Sequence, residues 1–189
     1  MRMGLLRIAP LVVLLVLGGC VAGWQVVTPT PYRDTAGKYS VKLPAGWNQI
    51  AVPGGSVVAS EFGPQLQSIA VNYSKPKLAF KTQKKDATPG MDPQELADAV
   101  IAELKTQPDR QTIETVRVAP AMVGGQPGFR AELASKRTFQ GAAIRFKHVV
   151  YGVTNANGLY VLRYEAPVLN YFDRGLPQFE AAVASFSLR

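Results

Sequence analysis

An α+β fold built mainly from antiparallel strands is what this sequence of 189 residues predicts. Three observations lead there. Short segments of alternating apolar and polar residues recur between Gly and Pro breaks. Two amphipathic helical patterns stand apart from them, one in mid-chain and one at the end. The β-α-β alternation of a parallel sheet is absent. The expected order is four strands, a helix, four strands and a helix, with helices flanking a mostly antiparallel sheet. A lipocalin-like barrel is the competing architecture, and the mid-chain helix argues against it.

The first strand is read in "KYSVKLPAGW", where Tyr39, Val41 and Leu43 alternate with Ser40 and Lys42. Pro44-Ala45-Gly46 ends it, and Trp47 is expected to anchor the core there and to begin a second strand through Val52. Val57 to Phe62 and Ser68 to Tyr73 follow as strands, separated by Gly63-Pro64. Tight turns between these four make antiparallel neighbours the simplest expectation. Asp92 to Thr106 reads as a helix. Asp92 can cap it, Pro93 fits its first position, Glu95 sits three residues after the cap, and Leu96, Ala97, Val100, Ile101 and Leu104 form its apolar stripe. Strands are expected again around Thr112–Val118, Phe129–Lys136, Ala143–Thr154 and Leu159–Ala166, with Asn157-Gly158 at the last bend. Leu176, Phe179, Val183 and Phe186 space a final helix.

The start of the chain has a different character. Arg2 and Arg7 precede an apolar run from Ile8 to Leu17, and Gly18-Gly19-Cys20 follow. This is the three-part pattern of a secretory signal. The run would rise only about 15 Å as a helix, half of a bilayer's hydrocarbon core, so it is too short to span. Leu17-Gly18-Gly19-Cys20 resembles the bacterial lipobox. That resemblance implies cleavage after residue 19, a diacylglycerol on the Cys20 sulfur and an N-acyl group such as palmitate on its amine. Two or more chains meet the requirement for stable anchoring. Cys20 is the only cysteine, so the lipidated chain would have no thiol and no disulfide. Val21 rather than aspartate follows, which by the same resemblance favours an outer membrane, facing the periplasm, in a Gram-negative cell. Residues 20–36, with Pro29 and Pro31, read as a lipidated tether, with an ordered first strand as the alternative. Residues 37–189 read as a single domain, with a monomer favoured.

The segments "GKYSVKLPAGW", "VGGQPGFRAELAS", "GLYVLRYEAP" and "FEAAVASFSL" together resemble the PsbP-like family, whose fold is shared with the nuclear-import factor Mog and several bacterial lipoproteins. The resemblance covers about Gly37 to Leu188. It implies an α/β/α sandwich and non-enzymatic work as an extrinsic or accessory subunit. It brings no manganese or calcium ligand, because no such motif matches.

Catalytic and metal chemistry find little support. His148 is the only histidine and lies among apolar residues, so a structural role is expected and no metal site is assigned. Gly124-Gly125-Gln126-Pro127-Gly128 lacks the lysine and helix of a phosphate loop and reads as a turn. Asp92 and Glu95 serve the helix cap, while Glu132 and Glu165 alternate with apolar residues and are expected to face solvent. No catalytic residue and no cofactor beyond the Cys20 lipid is assigned.

Two groups remain as candidate binding residues. Tyr151, Tyr160, Tyr164, Tyr171 and Phe172 either line a ligand groove or pack in the core. Lys75, Lys77, Lys81, Lys84 and Lys85 crowd "SKPKLAFKTQKKD", Ser74 to Asp86, within a chain of formal charge +8. This segment is expected to be a long exposed loop that is either merely solvated or docks on an anionic surface, lipid headgroups or an acidic protein. An exported protein would not meet nucleic acid. The sequence therefore favours a lipid-anchored envelope module that binds a protein partner without chemistry. A carrier or sensor of a small amphipathic ligand is the alternative, and a hydrolase with a site invisible in sequence comes third.

Overall fold

The computed structural model describes residues 23–107, 112–139 and 141–189, and the alternating segments become strands. In chain order the elements are β1 Gln25–Val26, β2 Tyr32–Asp34, β3 Tyr39–Val41, β4 Asn48–Val52, β5 Ser56–Ser60, β6 Ser68–Ser74, α1 Pro93–Lys105, β7 Glu114–Val123, β8 Gln126–Phe139, β9 Ala142–Asn155, β10 Gly158–Pro167, α2 Phe172–Ser185 and β11 Ser187–Leu188. Eight strands form one sheet in the order β1-β4-β5-β6-β10-β9-β8-β7, and β11-β3-β2 form a small second one. Every pairing in both is antiparallel. The fold is thus the expected α+β architecture.

Alternation along the strands gives the large sheet two apolar faces. Tyr160, Leu162 and Tyr164 of β10 point to a core shared with α2 and the small sheet, which contributes Tyr39, Val41, Phe179 and Phe186. Leu159 and Val161 point the other way, into a core closed by Leu96, Val100, Ile101 and Leu104 of α1. The result is three layers, with α1 on one side and α2 with the small sheet on the other. Trp47 is buried in the first core, as expected from its position after the Pro-Ala-Gly bend.

Local signals produce the local structures. The Asp92 carboxylate accepts from the N–H groups of Gln94 and Glu95, at 2.9 and 3.2 Å, and Pro93 occupies the first turn of α1. Gly124 and Gly125 take φ of +58° and +78° in the two-residue turn between β7 and β8, a conformation that glycine adopts without a Cβ penalty.

Non-local pairing accounts for the differences. The first predicted strand, now β3, is not beside β4. It pairs with β2 and with β11 at the far end of the chain, so of the first four predicted strands only those now β4, β5 and β6 are consecutive neighbours. The tether expected over residues 20–36 is instead built into the fold where it is described. β1 pairs with β4, β2 pairs with β3, and Val27 is 4 % exposed with backbone hydrogen bonds to Trp47 and Gly46. The domain therefore begins before residue 37. The last helix starts at Phe172 rather than near Leu176, because Phe172 is buried and the Tyr164 hydroxyl reaches the carbonyls of Tyr171 and Phe172 at 2.9 and 3.1 Å. Pro177 lies inside it; the Asp173 carbonyl that loses an N–H partner belongs to an exposed residue, where water can serve it.

Candidate functional site: a buried charged cluster and a basic loop

On the α1-facing side of the sheet, antiparallel register sets His148 of β9 opposite Glu165 of β10 and opposite Leu133 of β8. Glu165 is 3 % exposed and His148 1 %. Glu165 therefore does not face solvent, contrary to expectation: alternation assigned it to a face, and that face is covered. Its Oε2 lies 3.0 Å from Nη2 of Arg137, 3.6 Å from Nε of Arg163 and 3.4 Å from Nδ1 of His148. Its Oε1 accepts from the Ser68 hydroxyl at 3.4 Å. On the other side of the imidazole, Nε2 is 2.8 Å from Oγ of Ser135. A neutral ring with its proton on Nδ1 satisfies both contacts, donating to Glu165 and accepting from Ser135. Burial pushes the His148 pKa below its usual value; the hydrogen bond and charge of Glu165 oppose this, and Arg137 and Arg163 reinforce it.

Ser135, His148 and Glu165 stand in the order of a nucleophile relay. Yet the ring is sealed, Ser135 is buried, and the carboxylate that would steady an imidazolium is shared with two guanidiniums. The burial that excludes water here excludes substrate as well. The cluster does what buried charge requires, which is to bring opposite charges together. Sequence reasoning missed it. A usable signal was present in Arg163 and Glu165, two charges on one face of an otherwise apolar strand.

On the opposite face, Glu132 is half-exposed, and the hydrogen bond from Arg130 holds its carboxyl below the usual carboxylate range. Arg130 also reaches Glu180 of α2 at 3.2 Å, and the Tyr151 hydroxyl donates to Glu180 at 2.6 Å. Burial first, and Glu180 second, push Tyr151 up to about 12.

Of the five aromatic candidates, Tyr151, Tyr160, Tyr164 and Phe172 are buried in the core beneath α2 and Tyr171 is half-buried at its margin. Tyr164 stacks on Phe179 at 5.7 Å, and Tyr160 meets Tyr39 edge-on at 6.1 Å. Of these rings, Phe172 borders a cavity of about 650 Å³ that opens beside α2, along with Phe146, Val149, Leu176, Arg145 and Lys147.

The lysine-rich segment is a fixed loop. Phe80 is fully buried and bridged by backbone hydrogen bonds to Lys85, and Ala87 and Met91 enter the core beneath α1. Its nearby acids are occupied: Asp86 accepts from the Leu78 N–H, Glu103 from Thr82, and Glu95 from Lys85. Lys75, Lys77, Lys81 and Lys84 are exposed and have no carboxylate partner among the described residues. Lys85, half-buried and paired with Glu95, is the one of the five already engaged.

Among the described residues no group of three or more His, Cys, Asp or Glu side chains could hold a metal ion, and no helix is long and apolar enough to cross a membrane. Cys20 and the expected signal segment lie outside the described residues.

The family model described as PsbP matches residues 29–188. Comparison with curated proteins finds no match. Among solved structures, the chain is similar to cyanobacterial PsbP (CyanoP) from Synechocystis sp. PCC 6803, with 17 % identity, 91 % of this chain and 96 % of that chain covered, and a TM-score of 0.49. It is also similar to LpqN of Mycobacterium tuberculosis, described as involved in cell envelope biogenesis, with 17 % identity, coverage of 87 % and 91 %, and a TM-score of 0.47.

Proposed function

The chain belongs to the PsbP family, and on that premise we propose that it is a membrane-anchored, non-enzymatic accessory module of the cell envelope. Cys20 carries the diacylglycerol and N-acyl chains, and the folded domain works at the membrane surface beside a protein partner that it supports. In a Gram-negative cell Val21 directs it to the outer membrane, on the periplasmic side. The observation that carries this reading is the fixed basic loop. Ser135, His148 and Glu165 are locked inside the sheet, whereas Lys75, Lys77, Lys81 and Lys84 are held out in water on a loop anchored by Phe80. Such a device recognises an anionic surface.

The test is metabolic labelling with palmitate, comparing the wild type with Cys20→Ser, followed by crosslinking in intact cells. Label on the wild type, loss of label and of maturation in the variant, and capture of a recurring envelope partner are the expected results. An unlabelled wild-type chain would overturn the anchor, and substrate turnover by the purified protein would overturn the accessory role.

A second reading, a carrier or sensor of a small amphipathic ligand, draws on the 650 Å³ cavity, which is within the size range of small-molecule sites and combines apolar walls with Arg145 and Lys147. A rise in melting temperature with single-chain anionic lipids, lost in Phe172→Asp, supports it; no rise removes it.

A further inference from the structure

We infer that the α1-facing side of the sheet's β1 edge seats on the bilayer, with Trp24 placed in the headgroup interface. This inference rests on the lipid anchor at Cys20 proposed above. Register defines the face. Val26 stands opposite Asn48 and Asn48 opposite Ser60, while Ile50 stands opposite Val58 and Val58 opposite Ala70. Ala70 in turn pairs with Arg163, on the face of β10 whose Val161 and Leu159 meet Phe80. Laterally paired residues project to the same side, so Val26, Ile50, Val52 and Val58 share the side that carries α1 and the lysine loop. Trp24 joins them around a depression of about 300 Å³ lined by Asn48, Ser60, Gly63 and Pro64.

Neither helix packs on the outer part of this face, at β1 and β4, although Ser60 and Ala70 at its inner end are buried. α1 packs on β7, β8 and β9, and the loop bearing Phe80 packs on β10. Trp24 is 44 % exposed, Val26 62 % and Val52 41 %, and Ile50 and Val58 are half-buried. The strip and its polar neighbours Asn48, Ser56 and Ser60 contain no carboxylate.

The bilayer is the occupant because of where the chain begins to fold. Trp24 lies four residues after Cys20, a distance of at most about 14 Å at full extension. The lipidated sulfur sits at the boundary between hydrocarbon and headgroups, and one headgroup layer is about 6 Å thick. The edge carrying Trp24 is therefore held at the membrane surface whatever the conformation of the linking residues. The face turned toward that surface offers an indole, three valines and an isoleucine, with the exposed lysines of the loop on the same side. Tryptophan at the interface and lysine toward anionic headgroups are the pairings that bilayers favour.

The experiment uses the full lipidated protein in vesicles of phosphatidylethanolamine and phosphatidylglycerol, with and without brominated acyl chains. Trp24 and Trp47 are the two tryptophans. Trp47 is buried, so a Trp24→Phe protein supplies the Trp47 baseline to be subtracted. The expected result is loss of most Trp24 emission to brominated lipid, a blue-shifted Trp24 maximum and exclusion of aqueous iodide. Val26→Glu with Val52→Glu, at exposed positions, should restore iodide access while palmitate label and Trp47 emission stay unchanged. A labelled protein whose Trp24 is quenched by iodide and not by bromolipid overturns the seating. Shielding of Trp24 from both quenchers also overturns it, since a second copy or a protein partner then covers the strip. Absence of label overturns the anchor reading itself.

Discussion

Nδ1 of His148 lies 3.4 Å from Oε2 of Glu165, and the two residues face each other directly across the β9–β10 ladder. The same oxygen serves Arg137 and Arg163 from either side. One carboxylate thus organises three nitrogen bases in the interior of the sheet, and removing it leaves the two guanidiniums facing each other without the anion they share. Glu165→Gln should destabilise the fold by about 3 kcal/mol, as expected for loss of one member of a buried ionic group. Urea unfolding measures this. Combining Glu165→Leu with Arg137→Met and Arg163→Met should recover much of the loss, because an apolar cluster of similar volume needs no counterion. A single Gln variant as stable as wild type would show that the carboxylate is dispensable.

The same histidine sets a pH dependence. Its pKa is lowered in the folded state from an ordinary value of 6.5, first by burial and then by the two arginines, against the pull of Glu165. Below 6.5 the unfolded chain binds a proton that the folded chain resists, so stability falls as pH falls. Thermal unfolding should be flat above about pH 6.5 and decline below it, by no more than about 1.4 kcal/mol per pH unit for one proton. With one histidine in the chain, His148→Gln should remove the slope between about pH 5 and 6.5. A slope that survives the substitution would assign it to another group.

Val27 tests whether the segment after Cys20 is a tether or a part of the fold. Its side chain is buried with Trp47 and Leu43, and its N–H donates to the Trp47 carbonyl at 2.7 Å. Val27→Ala should lower stability by about 2 kcal/mol, from two lost methyl groups and an incompletely closed cavity. Chemical denaturation reports it. No change would mean that the residue following β1 adds nothing to the core.

The lysines are tested by charge removal. Lys75→Gln, Lys77→Gln, Lys81→Gln and Lys84→Gln together should abolish binding of the unlipidated domain, residues 23–189, to anionic vesicles. They should leave the melting temperature almost unaltered, since all four side chains are exposed. Wild-type binding should weaken steeply with salt, because screening acts over about 10 Å at 0.1 M. Vesicle sedimentation at two ionic strengths distinguishes this from apolar adsorption. Adding Lys85→Gln should change binding little and cost a small amount of stability, because that lysine is already paired with Glu95.

What the sequence made legible follows from the range of the interactions involved. The α1 cap at Asp92, the glycine turn at Gly124 and Gly125 and the bend at Asn157 are decided within a few residues, and each stands where the local pattern placed it. The alternation in β9 and β10 likewise identified them as strands. It could not reveal that Tyr39–Val41 leaves its sequence neighbours for a separate sheet, because the partner of Ser40 is Ser187 at the other end of the chain. Nor could two-residue strands such as β1 carry a recognisable period. Glu165 was misread for a related reason. Alternation states which side of a strand a residue occupies, while the layer above that side is supplied by distant segments. The lysines could be read as a group, but the loop's fixation depends on Phe80 finding a core made by α1 and β10.

The last strand of the small sheet has a kinetic consequence. Ser187 and Leu188 pair with Ser40 and Tyr39, and the Arg189 N–H donates to the Lys38 carbonyl at 2.8 Å. β3 therefore lacks one of its two neighbours until Ser187 and Leu188 have been synthesised. The central β6–β10 pairing also joins segments separated in the chain by α1 and three strands. Such long closures are slow to form and reward the chain only late. A nascent chain consequently cannot complete the small sheet or join β6 to β10 until the later strands have emerged.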